Sequence, residues 1–179
     1  MAAVLFLFSC SNDPAKVKKV STTEDLPMEV TEDMALTYSD SGAIRLRLNA
    51  PLSEYYPQLK EPERRFPQGI DVKFLDSFGN EESRLRADHA VQYISKNLWE
   101  ATGNVVVVNK KGEQLNTEKL YWDQSKEEIY SDKFVKISTD KEVIMGEGFE
   151  ADQNFSNYEI HQVTGQIQIE EDEENAKGG

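Results

Sequence analysis

The chain has 179 residues, a single cysteine, 38% hydrophobic residues and a formal net charge of −13. That length fits one ordinary domain with tails. So acidic a chain lacks the basic face that nucleic-acid phosphates require, so no nucleic-acid partner is expected.

Residues 1–9 form a mostly apolar run that stops at Ser9-Cys10 and turns polar at once. The run is too short to span a bilayer, which takes about twenty residues, and it suits the hydrophobic core of a secretory signal. Leu7-Phe8-Ser9-Cys10 is similar to a bacterial lipobox, although no Lys or Arg precedes the apolar run. The expectation is a signal peptide over 1–9 and lipidation of Cys10; the competing reading is a buried first strand with a free thiol. Lys16, Lys18 and Lys19 follow the cysteine. Beside an acyl anchor they favour an anionic surface, which points to retention on the periplasmic side of the inner membrane. Residues 10–30 then serve as the lipidated N-terminus and linker, since Ser21 to Pro27 show no hydrophobic period.

From residue 31 the period is two. Ile44, Leu46 and Leu48 alternate with Arg45, Arg47 and Asn49; Ile70, Val72 and Phe74 alternate with Asp71 and Lys73. Leu85 and Ala87, Val135 and Ile137, and Ile167 and Ile169 do the same. This is the signature of strands with one buried and one wet face. Asp40-Ser41-Gly42, Phe78-Gly79-Asn80, Lys111-Gly112 and Gly146-Glu147-Gly148 read as turns between them. Residues 50–69 carry four prolines and read as a surface excursion joining two edge strands, pinned by Tyr55, Tyr56 and Phe66. No segment carries a helical stripe.

The second half repeats at a spacing of about thirty residues. Asp88 aligns with Glu118, and Leu98 with Ile129 and Ile160, each copy ending in a strand-like run. Residues 170–179, opening Glu170-Glu171-Asp172-Glu173-Glu174, are expected to be a disordered acidic tail.

Many short strands with one apolar face each must bury those faces against one another. The expected fold is all-β: an open V-shaped β-jellyroll of short antiparallel strands over 31–169. Its trough would be lined by Ile44, Leu46, Leu48, Ile70, Val72, Phe74, Leu85, Val105, Val107, Val135 and Ile137. Such a trough suits acyl chains, and open end strands suit pairing with another roll. No chemistry is indicated. His89 and His161 lack partners at metal-ligand spacing, no Gly-x-Ser-x-Gly occurs, and the carboxylates are too numerous to single out an acid–base pair. No catalytic residue, metal or cofactor is therefore expected. Trp99, Trp122, Tyr93, Tyr121, Tyr130 and Tyr158 read mostly as packing residues.

An ordered series of short motifs carries a resemblance: Tyr38 to Gly42, Arg45 to Pro51, Phe66 to Ile70, Leu85 to Ala90, Gly103 to Val105, Gly112 to Leu115, Leu120 to Asp123 and Gly146 to Phe149. Together, over about 29–169, they resemble the LptC family of periplasmic lipopolysaccharide-export proteins. The resemblance implies a β-jellyroll that receives lipopolysaccharide, by its lipid A moiety, from the permease subunits of an inner-membrane ABC transporter. The lipid then passes to a periplasmic jellyroll bridge protein by edge-to-edge joining of rolls. Many relatives carry an N-terminal transmembrane helix, in whose place a Cys10 lipid anchor is expected here. Two alternatives stand beside that reading: a soluble bridge protein of the same system, and a carbohydrate-binding or carbohydrate-active jellyroll module.

Overall fold

The computed structural model describes residues 26–169. The expected signal segment, Cys10, most of the linker and the acidic tail lie outside them. The described part is eleven antiparallel strands and one 3-10 turn, Ile94–Lys96. In chain order the strands are β1 (Glu29–Asp40), β2 (Ala43–Tyr56), β3 (Glu63–Phe66), β4 (Ile70–Leu75), β5 (Glu81–Ala87), β6 (His89–Tyr93), β7 (Leu98–Asn109), β8 (Gln114–Asp123), β9 (Glu128–Ser138), β10 (Glu142–Asp152) and β11 (Tyr158–Gln168).

Two long strands organise the sheet. One half of β2 pairs with β4 through Leu46 to Asn49, and its other end pairs with β3 through Glu54 to Tyr56. β7 is divided the same way, with Val106 to Asn109 on β5 and Leu98 to Thr102 on β6. Because β4 pairs with β5 and β3 with β6, these six strands close a hydrogen-bonded frame around a central window. β1 adds to the outside of β2, and β8 to β11 follow β7 as a meander. The sheet therefore has two free edges, β1 and β11.

The crease of the roll runs through the window. Along it the ladders slip register at Gly103-Asn104 in β7, between Thr117 and Tyr121 in β8, and between Glu147 and Phe149 in β10. Gly103 (φ +75°) and Gly148 (φ +76°) supply the left-handed backbone that bulges need. A bulge frees backbone carbonyls, and buried hydroxyls take them up. Thr117 Oγ1 donates to the Phe134 carbonyl at 2.8 Å and Ser131 Oγ to the Lys119 carbonyl at 2.7 Å. These small polar residues sit on the inner face because the crease requires them there.

Bent along this line, the two halves meet through one core. Phe74 of the β4–β5 half stands edge-on to Trp122 of the β3–β6 half at 5.2 Å. At the meander end the halves are clasped. Phe155, fully buried, packs on Phe149 and Tyr158, and its carbonyl accepts from Asn109 Nδ2 at 2.9 Å. Asn109 Oδ1 in turn accepts the backbone N–H groups of Lys111 and Glu113.

Two expectations are corrected. Residues 50–69 are not a surface excursion: β2 continues through Pro51, and Glu63–Phe66 is an internal strand. Pro51 is tolerated because it lies on the window side between the partners of Asn49 and Glu54, opposite Asp33, which has no ladder partner. The missing N–H therefore breaks no bond. Gly146-Glu147-Gly148 is not a turn but the bulged middle of β10. The other three turn readings fall between strands as expected.

Candidate functional site

Between the two halves, with Gln153 and Asn154 on its rim next to the Phe155 clasp, lies a cleft of about 520 Å³. That is within the range of small-ligand sites, roughly 300–1,000 Å³. Its floor is apolar: Leu46 and Leu48 of β2, Phe74 and Leu75 of β4, Trp99 of β7 and Trp122 of β8. Leu36 and Tyr38 of β1, 38% and 57% exposed, form its outer entrance. The strand period places these side chains together. Trp99 lies two residues from buried Ala101 and Trp122 two from buried Leu120, so each points inward.

The lips are polar. Asn97, Gln124, Glu127, Gln153 and Asn154 come from the loops and strand ends of one half, and Asp40, Arg45 and Glu82 from the other. Trp122 Nε1 donates to Gln153 Oε1 at 3.3 Å, whereas the buried Trp99 Nε1 has no hydrogen-bond partner among the described residues. An unspent buried donor is costly, by about 1–3 kcal/mol, so its presence on a cleft wall marks a place where something polar can be accommodated.

Of the eleven residues expected to line a trough, all but Ile44 are buried in the core cluster, at 7% exposure or less. Ile44 is half-buried. Leu46, Leu48 and Phe74 face the cleft directly. Val135 and Ile137, fully buried, and Val72 lie deeper, packed between the halves. Trp99 and Trp122 belong to an aromatic set expected mostly to pack, with a minority lining the trough, and both line the cleft; the amides of the lips were not singled out. The tryptophans could have been found from their inward parity; the amides lie at strand ends and in loops, where no period marks them.

The outer faces are built differently. Tyr121 and Tyr130 stack across β8 and β9 at 5.1 Å. Lys119 lies 3.0 Å from Glu100, and its hydrogen bonds to Glu100 and Tyr121 push its pKa well up. Arg84 makes two hydrogen bonds to Asp71, one of 2.8 Å, and these hold that carboxyl below the usual range. These are solvated ladders of opposite charge, worth a few tenths of a kcal/mol per pair. His161 makes an exposed contact of 3.5 Å with Glu150, and no group of metal-ligating side chains occurs among the described residues. No helix among them is long and apolar enough to cross a membrane.

An all-antiparallel roll with a greasy cleft and two free edges agrees with the motif series, and the chain as a whole matches the family described as lipopolysaccharide-assembly, LptC-related, over residues 1–168. The chain belongs to that family. LptC proteins serve lipopolysaccharide transport in the periplasm. The motifs that carry the likeness fall at structural corners of this LptC-related roll. Gly103 to Val105 is the β7 bulge, Gly146 to Phe149 the β10 bulge, and Phe66 to Ile70 closes one side of the window. No curated protein matches the chain.

Proposed function

We propose that this chain is the membrane-tethered relay of a lipopolysaccharide export system. It receives the lipid from the permease subunits of an inner-membrane ABC transporter and passes it to a periplasmic jellyroll bridge protein. The observation that carries this reading is the cleft: an apolar floor with polar lips, opening between two half-rolls, in a sheet with two unpaired edges. Acyl chains enter over Leu36 and Tyr38 and seat first on Leu46, Leu48 and Phe74 while the sugars stay at the lips. Deeper chains reach Val72, Val135 and Ile137 only as the halves part along the crease. Burial of each methylene returns about 0.8 kcal/mol, which offsets loosening of the core contacts.

The anchor is acylated Cys10, which keeps the roll at the inner membrane. β1 follows the tether, so its edge meets the membrane partner and the edge of β11 meets the bridge protein by strand addition. The chain supplies no energy and performs no chemistry on the lipid.

Photo-crosslinking in cells tests this. A crosslinker replacing Val72 or Ile137 is expected to capture lipopolysaccharide, and one at the outward Lys73 or Lys136 is not. Capture confined to the outward pair would sink the interior route.

A further inference from the structure

The lips of the cleft are built from amides and carboxylates, with very little positive charge. The side chains of Gln92, Gln124 and Asn154 line it and make no hydrogen bond among the described residues. Gln153 spends only its oxygen, on Trp122. Trp99 Nε1 is buried on the same wall without a partner. A primary amide both donates and accepts, and so does a sugar hydroxyl or an N-acyl group; a phosphate accepts only and is held best by Arg, Lys or convergent backbone N–H groups.

The charges point the same way. Arg45 is the one cation of the lining, set against the carboxylates of Asp40, Glu82 and Glu127. Lys110 lies 3.3 Å from Glu82 on its solvent side, and that ion pair offsets one of the three. A lipid phosphate brought to these lips meets net negative charge beside a low-dielectric floor, which strengthens the repulsion relative to bulk water.

We infer that the cleft selects the uncharged, hydroxyl- and amide-bearing part of an acylated amino sugar, and that phosphate groups on the ligand weaken its seating. Gln124 and Gln153 are the specificity-determining contacts, and Asp40 and Glu127 the exclusion. This rests on the transport reading above, and it adds which headgroups the site takes.

The test is displacement of a fluorescent, phosphate-free acylated glucosamine disaccharide from the full-length protein by unlabelled forms carrying zero, one or two phosphates. At low salt each phosphate is expected to weaken binding about three- to tenfold, a penalty that shrinks in 0.5 M salt. Asp40→Asn with Glu127→Gln narrows the gap between phosphorylated and phosphate-free forms. Gln124→Ala with Gln153→Ala weakens the phosphate-free form about tenfold, the loss expected for two hydrogen bonds of ordinary worth. Phosphorylated forms binding as tightly as the phosphate-free one, or more tightly, overturn the inference and leave the transport reading standing. Failure of every form to bind overturns both.

Discussion

Gly146 shows how a single side chain can be forbidden by the crease. A Cβ there would run into the Gln162 carbonyl oxygen and come within 2.5 Å of Ile160 Cγ2 on β11. Neither is the free end of a flexible chain, so β10 and β11 would have to separate. Gly165 faces only the Met145 methyl at 3.1 Å, which can move. Gly146→Ala is therefore expected to lose about 1–3 kcal/mol and Gly165→Ala less than half as much, read from chemical denaturation. Equal costs would mean that the bulge does not fix the distance between the two strands. Much at this scale was legible in the sequence: Leu46, Leu48, Val72, Phe74, Val105, Val107, Val135 and Ile137 all point inward as their period requires. Thr117 and Ser131 were not, because their role depends on carbonyls freed where the ladder slips, and a register slip leaves no mark in a hydrophobic period.

Among the elements, β11 is, with β1, one of the two edge strands. It pairs on one side only, with β10, and exposes Val163 and Ile167 at 58% each. Long apolar edges invite another strand, and isolated rolls usually blunt them with charge. Val163→Asp with Ile167→Asp places charge on residues that bury little, so the unfolding free energy should change by less than about 0.5 kcal/mol per site. Co-purification of the bridge protein, in contrast, should fall to background. Retained co-purification would move that contact elsewhere, with β1 the next edge to examine. The strands of the meander were legible through their repeat and alternation, although the turn read at Gly146 to Gly148 is the bulge of β10. β3 and the second half of β2 were not, since the prolines that argue against a central strand are harmless once the window removes the partner.

For the whole molecule the decisive long-range facts are the clasp and the cleft. Asn109 and Phe155 are 46 positions apart, and their buried contact joins the two halves beside the cleft. Nothing local in either segment announces that contact, which arises only when the sheet folds on its crease. The proposed tether belongs to this scale too. If acylation of Cys10 is what keeps the roll at the membrane, Cys10→Ser should move the protein to the soluble periplasmic fraction and stop lipid capture by the relay. A variant that still sediments with membranes would assign retention to the domain's own contacts.

The six-strand frame has a mechanical corollary. A ladder that ends in open strands can be unzipped one rung at a time, and a loop of rungs cannot. If neighbouring rolls pull on β1 and β11, tension peels β1 from one flank and strips the meander from the other, but it stops at β2 and β7, which are each fastened by two separate strands. A train of such rolls under strain would shed its outer strands first, with every six-strand frame still closed.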